Sequence, residues 1–272
     1  MLKRKAKVFR PTAFAFPYLA ITLIFVIVPL ILVLIYSFRA SDGSFTFDNF
    51  ARIFSNVSNL TQLAKTILLA AVSTGLCLLI AYPTAYILAS QPFNKIAILS
   101  LLFIIPMWIN FMLRLFALKS LLIMLGMKQG YMMAVIGIVY DFFPYMLLPI
   151  YTVLSNMDKS YIEASRDLGE NSVGTFFRVT LPLSVPGIIS GISMMFMPVF
   201  SSYAITDMLG DDKTSVFGAK IAALFESTGG GGAYGTGAAL SFVLLVIVMV
   251  AMVIGNVLSK KAEKAPVKGG KA

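Results

Sequence analysis

The sequence predicts an all-α integral membrane protein with six transmembrane helices. Three observations lead there. Of the 272 residues, 58% are hydrophobic and only 12% are charged, where a soluble domain carries about 25% charged residues. Apolar runs recur that match the roughly 20 residues a helix needs to cross the hydrocarbon core. Lys and Arg crowd the two ends of the chain, the charge signature of an oriented membrane protein.

The spans fall at about residues 16–38, 66–89, 96–116, 131–154, 187–207 and 237–258, within one transmembrane domain covering 1–272. The first, FPYLAITLIFVIVPLILVLIYSF, carries no charge. Its apolar core exceeds a signal-peptide h-region, and Phe38 and Arg39 precede Ala40 in place of a small-residue cleavage pattern, so it is expected to stay as an anchor. The second holds the single cysteine, Cys77. One cysteine forms no disulfide within the chain, and an apolar-flanked one is expected to be a small buried hydrophobe. The third and fourth spans are apolar apart from Arg114 and Asp141. Pro186-Gly187 opens the fifth, with proline near the first helical turn. Before the sixth lies TGGGGAYGTG, Thr228–Gly237, which lacks the Lys-Ser/Thr pair of a phosphate-binding loop. It reads as a flexible loop feeding a helix start.

Histidine is absent, which excludes a His-based metal site, a Ser-His-Asp triad and a Cys-His pair. No catalytic residue, metal site or cofactor is expected. Placing both basic tails in the cytoplasm puts 14 Lys and Arg on inner segments and 7 on outer loops. Residues 39–65, 117–130 and 208–236 then face outward, and residues 90–95 and 155–186 face the cytoplasm. The net charge of +10 thus reads as orientation and contact with anionic lipid; no basic folded domain exists to carry nucleic acid.

The large cytoplasmic loop, 155–186, is the least membrane-like stretch between spans. Ser160 and Glu163 fit a capping box at a helix start. Tyr161, Ala164, Ser165 and Leu168 share one helical face, and Glu163, Arg166, Asp167 and Glu170 spread over the other. Gly169 suits the left-handed turn that stops a helix. Ser172 is expected to cap a second short helix, ended by Leu181-Pro182. An amphipathic pair lying on lipid would be rich in Lys and Arg on its polar face. The acidic face of the first helix instead favours a protein partner.

The order Glu163-Ala164-Ser165, three residues, Gly169, nine residues, Val179, one residue, Leu181-Pro182 resembles the EAA loop of ATP-binding-cassette importer permeases. That pattern is Glu-Ala-Ala, three residues, Gly, nine residues, Ile, one residue, Leu-Pro; Ser165 and Val179 depart from it. The segments INFMLRLFALKSLL and VYDFFPYMLLPIYTVLSNMDKSYIEASRDLG also look like the permeases of spermidine/putrescine importers. The likeness is to the first of such an importer's two permease subunits. The resemblance implies a type I importer permease (MetI-like) fold in a bacterial inner or plasma membrane, with both termini cytoplasmic. It implies two ATPase subunits, a second homologous permease and an extracytoplasmic substrate-binding protein as partners. Glu163, Ala164, Ser165, Asp167, Gly169, Leu181 and Pro182 would then form the ATPase-coupling site. A permease for another small solute, of iron, sulfate, opine or amino-acid type, stays open. A secondary transporter would call for coupling-ion sites on broken helices and an internal repeat, and no convincing repeat is present.

Ionisable residues within a span are costly and therefore functional candidates. Asp141 lies near the middle of the fourth span and Asp207 near the outer end of the fifth. With Tyr140, Tyr145, Tyr203 and Trp108 they suit an alkylammonium cargo, through charge and through cation–π contacts of roughly 0.5–2 kcal/mol each. Phe142, Phe143 and Phe200 lie among them. Aromatics near membrane interfaces also serve as ordinary belts. Arg114 reads as a structural partner for one of the carboxylates. The topology is testable: on intact cells an impermeant thiol reagent is expected to label Ser44→Cys and leave Ser259→Cys unlabelled. Equal labelling from outside would reverse the assignment of the loops.

Overall fold

The computed structural model describes residues 15–40, 42–90, 103, 105–211, 214, 216–226 and 234–264. Among these, regular structure is helical apart from one isolated antiparallel bridge between Arg39 and Phe45. Among the described residues five helical stretches have the length and composition to cross a membrane: Pro17–Ser37, Val57–Ala89, Tyr131–Ser155, Ser172–Phe200 and Tyr234–Leu258.

The elements run α1 (Ala15–Thr22), a π turn (Leu23–Ile27), α2 (Val28–Ser37), α3 (Asp48–Ser55), α4 (Val57–Ala89), a 3-10 turn (Ile105–Trp108) and α5 (Phe111–Met124). Then come α6 (Tyr131–Ser155), α7 (Ser160–Asp167), α8 (Ser172–Thr175), a second π turn (Phe176–Thr180) and α9 (Leu181–Ser201). The chain closes with α10 (Tyr203–Leu209), α11 (Phe217–Glu226) and α12 (Tyr234–Lys264). The helices group into two compact units.

The first unit takes the described residues up to Asn56 and those of 221–245. The first spanning helix turns apolar side chains outward along its length, as a lipid-solvated helix does. Beyond Ser37 the chain is tied down by aromatic packing. Phe38 stacks on Phe45 at 5.4 Å and meets Phe47, Phe50 and Phe242 at 5.3, 4.9 and 6.5 Å. Asn49, buried, donates to the carbonyls of Ser37 and Arg39 at 3.1 and 3.0 Å, satisfying the backbone where α2 ends.

The second unit holds Val57–Lys220 and the described residues from Val246 onward. Its hub is α6, which packs along both α4 and α9. Met133, Ala134, Ile138, Met146, Leu147 and Ile150 of α6 are wholly or almost wholly buried. The α6–α9 contact is close because α9 offers glycine where it crosses. A Cβ on Gly187 would lie 3.0 Å from the Pro149 carbonyl oxygen, and one on Gly191 would lie 2.9 Å from that of Met146. Gly187 and Gly191 are spaced four apart, the small-xxx-small arrangement that lets helix backbones approach in lipid. Further along, Thr66 accepts the Phe217 N–H at 2.8 Å, and Gly130 N–H donates to the Leu209 carbonyl at 3.0 Å.

Several boundaries differ from those the sequence predicts. The second span starts nine residues early, at Val57, and the polar residues of that extension are satisfied by contacts: Gln62 Nε2 donates to Val216 O at 3.4 Å and Lys220 donates to Asn59. The third expected span, 96–116, lies in part outside the described residues. Its described portion holds the 3-10 turn and then α5, which begins at Phe111 and reaches Met124. Asn110 sets that start, its side chain accepting the N–H groups of Met112 and Leu113 at 2.9 and 3.4 Å. The fifth span does not begin at Pro186. Helix continues from Ser172 through the π turn into α9 and stops at Ser202, after which α10 is separate. Of the glycine-rich loop, residues 228–233 lie outside the described residues, and Tyr234 opens α12.

The glycine contacts give a direct stability test. Gly191→Val is expected to lower the stability of the purified permease by about 1–3 kcal/mol through overpacking against the α6 backbone. Gly75→Val, where an added Cβ meets nothing within 4 Å, is expected to change it far less. Thermal unfolding in detergent separates the two.

Candidate functional site

The loop after α6 is built by its own polar side chains. Asp158 accepts the backbone N–H of Ser160 at 3.0 Å. Hydrogen bonds from Ser160, its backbone N–H first, hold the Asp158 carboxyl below the usual carboxylate range. The expected capping box of Ser160 and Glu163 does not form. Lys159 is the N-cap, without a side-chain bond, and Ser160 is already inside the helix. Asp158 wins because a carboxylate is the stronger acceptor for the orphan N–H groups at a helix start.

Gly169 ends α7 in the left-handed conformation, φ +85°. Its N–H donates to Arg166 O at 2.9 Å and that of Glu170 to Ser165 O at 3.1 Å, the paired bonds of a Schellman turn. Asn171, rather than Ser172, caps the next helix, accepting the Gly174 N–H at 2.7 Å. Leu181-Pro182 does not end that helix. The Leu181 N–H donates five residues back to Phe176 O, and this wide turn accommodates the proline where a regular turn would clash.

Of the proposed coupling residues, Glu163, Ala164, Asp167 and Gly169 are exposed. Ser165 is buried. Leu181 is half-buried and Pro182 exposed, both at the base of α9. The apolar face expected to pack inward is largely open: Tyr161 is 52% and Leu168 86% exposed. Two contacts the sequence reading did not reach close the loop on itself. Ser165 Oγ lies 3.1 Å from Thr175 Oγ1, and Glu170 pairs with Arg178. A partner eight or ten residues away across a glycine turn leaves no periodic signal. Asn171 had one, since Asn caps a helix about as well as Ser does.

In the spans, Arg114 of α5 and Asp141 of α6 meet at 2.7 Å, with side chains 10% and 11% exposed. Arg114 Nε is buried with no hydrogen-bond partner, so the guanidinium uses only part of its fork. Most of the aromatics grouped with Asp141 and Asp207 in the sequence reading are turned outward. Tyr140, Tyr145 and Tyr203 are exposed, Trp108 is 88% exposed, and Asp207 lies exposed on α10. Phe142 and Tyr145 pair at 5.8 Å, Phe103 and Phe143 at 5.7 Å, and Phe196 and Phe200 at 5.0 Å. Their sequence neighbourhood came from the helices themselves, whose turns point successive rings apart. Among the described residues no group of three His, Cys, Asp or Glu could hold a metal.

A bundle of long apolar helices with an exposed acidic helix between two of them is the arrangement of an importer permease. The chain belongs to the family of binding-protein-dependent transport system inner membrane components, matched over residues 68–264. It is 28% identical to the spermidine/putrescine transport system permease protein PotB of Escherichia coli (strain K12), over 88% of this chain and 96% of that one. It is 32% identical to the protein of the same name from Haemophilus influenzae, over 71% of this chain and 76% of the relative. A PotB homolog of Mycoplasma genitalium is 28% identical over 71% and 72%. In fold it is similar to a chain of a bacterial ABC transporter that imports the acidic polysaccharide alginate. The TM-score is 0.69 at 16% identity, covering 92% of this chain and 94% of that one. A related structure holds that alginate transporter in complex with a pentasaccharide-bound periplasmic protein, with TM-score 0.69 at 17% identity and coverage of 93% and 95%. These likenesses establish the type I importer permease fold and a multi-pass membrane transport component.

The Arg114–Asp141 pair generates a prediction. Removing one partner of a buried pair leaves an uncompensated charge, costing about 3–5 kcal/mol. Arg114→Gln alone and Asp141→Asn alone are each expected to lower thermal stability and yield in detergent. The double neutral variant is expected to recover most of the loss. A double variant as poor as the worse single would show that the two charges do not balance each other.

Proposed function

We propose that this chain is a transmembrane permease subunit for the ATP-driven uptake of polyamines such as spermidine and putrescine. The observation that carries the coupling role is α7, held off the bundle with Glu163, Ala164 and Asp167 exposed and terminated by a Schellman turn at Gly169. The polyamine assignment is supported by the names of relatives that align along most of the chain.

On this reading α7 seats in a groove of an ATPase subunit, of which there are two, and a second homologous permease pairs with this one. A binding protein delivers cargo to the outer face, and both basic tails lie in the cytoplasm. Closure of the ATPase dimer displaces α7, and the helical bundles rock between inward-open and outward-open states, a rigid-body change driven at an interface. Hydrolysis takes place on the partner, and this chain carries force and encloses the path. Asp141, Asp207, Tyr140, Tyr145, Tyr203 and Trp108 are the candidates for contact with a passing cation. The exposure of the three tyrosines and the tryptophan fits a path completed by the second permease.

The test is the reconstituted transporter with its ATPase and binding protein, supplied with spermidine, putrescine, iron, sulfate and amino acids in turn. Spermidine or putrescine alone is expected to stimulate ATP hydrolysis and enter the vesicles. Glu163→Lys reverses charge on the docking face, and Gly169→Pro cannot adopt φ +85°. Each is expected to insert normally yet lose at least about tenfold in uptake, an effect of about 1.4 kcal/mol. Normal uptake by both variants would remove the coupling role. Stimulation by another solute class would reassign the cargo.

A further inference from the structure

The contacts that join α7 to the rest of the second unit converge on one short stretch. Ser165 is the buried residue of α7, and its hydroxyl meets that of Thr175, 3% exposed, at 3.1 Å. Glu170, the first residue past the glycine turn, pairs with Arg178. Gly174 leaves room for this, since an added Cβ there would collide with the Glu170 carboxylate. Thr175 immediately precedes the π turn Phe176–Thr180, and Arg178 lies within it. Phe176 of that turn stands edge-on to Tyr82 and Tyr86 of α4 at 5.9 and 5.4 Å. Tyr82 in turn shares a buried 2.9 Å hydrogen bond with Ser184 of α9.

Without these contacts α7 would be joined towards α9 only through the backbone of the glycine turn, its other end leading back to α6 through residues 156–159. A single left-handed turn bends readily, and a push on α7 would be spent in bending it. Ser165 stands where the resembled pattern has alanine, which offers no hydroxyl for Thr175.

We propose that the Ser165–Thr175 hydroxyl pair, backed by Glu170–Arg178, is a clip that fixes α7 to the base of α9, so that displacement of α7 moves α9 and α4 as one body. The inference rests on the coupling role argued above. Ser165 and Thr175 are positioning residues here: both are buried, and their work is to hold the exposed residues of α7 at a fixed angle to the spans.

The test uses the whole transporter in proteoliposomes, with its ATPase subunits and spermidine-loaded binding protein, and reads spermidine taken up per ATP hydrolysed. Thr175→Val keeps shape and deletes the hydroxyl. It is expected to lower that ratio about threefold, the scale of one hydrogen bond, with ATPase subunits retained at the wild-type level. The Ser165→Ala, Thr175→Val double variant is expected to fall no further than Thr175→Val, because both changes break the same bond. Thr175→Ser is expected to keep the wild-type ratio. An unchanged ratio in Thr175→Val, an equal loss in Thr175→Ser, or ATPase subunits shed from Thr175→Val would each overturn the clip. A wild-type permease that retains no ATPase subunit would overturn the coupling role and the clip together, and it shows before any variant is made.

Discussion

No water reaches the hydrocarbon core to satisfy a backbone amide, so each spanning segment has to close its hydrogen bonds internally. The helical fold follows from that constraint, and so do its irregularities. Both π turns end one residue ahead of a Val-Pro or Leu-Pro pair, Val28-Pro29 and Leu181-Pro182. Proline lacks the N–H for a regular bond, and its ring strikes the carbonyl four residues back. Widening the preceding turn relieves the clash while the Val28 and Leu181 N–H groups still find acceptors, at Leu23 O and Phe176 O. Hydroxyls reinforce other proline-bearing stretches: Thr84 donates to Ile80 O and Thr152 to Leu148 O, each at 2.8 Å. A proline that would break a helix in water is thus built into a continuous one.

Lipid also removes the usual reason for helices to adhere, since the surrounding tails are as apolar as the side chains. Close approach has to replace it. Gly187 and Gly191 bring α9 onto the backbone of α6, and α4 packs against both. This makes α6 the fixed reference of the second unit, and α6 carries Asp141. The base of α9, where the chain returns from α7, belongs to the same packed unit. The helix proposed above to dock and the intramembrane carboxylate are therefore attached to one packed pair of helices, α6 and α9.

Five of the six spans were legible in the sequence as apolar helices, because an apolar run of span length has few other uses. Gly169 was legible too, since the helix pattern stops at the residue best suited to φ +85°. The start of the fifth span was not. Pro182 and Pro186 read as punctuation, and only a π turn, which has no sequence period of its own, carries the helix past Pro182. The side chains that accept the orphan amides shifted by one or two residues, from Ser160 to Asp158 and from Ser172 to Asn171, because neighbouring polar side chains compete for the same amides and local geometry decides. The pairing of Arg114 with a carboxylate was readable from the cost of charge in lipid. The outward aim of Tyr140, Tyr145, Tyr203 and Trp108 was not, because neighbouring positions on a helix point to different faces and nearness to Asp141 in sequence does not fix a shared one.

That last gap bears on how a cation could be selected. An ion pair at 2.7 Å is close to neutral as a whole, and a passing ammonium meets little net attraction from Asp141 while Arg114 holds it. On the proposed reading, selectivity for polyamine then has two sources. One is separation of the pair during the conformational cycle, which frees the carboxylate in one state and quenches it in the other. The other is the exposed set of Asp207 and the tyrosines, which act once a facing permease removes them from lipid and lowers the local dielectric. Separation of the pair requires α5 to move relative to α6. Among the described residues α5 makes the sparser packing of the two, and its start is capped by Asn110. On that reading the partner that moves is Arg114, carried by α5, while the carboxylate rides on the hub α6.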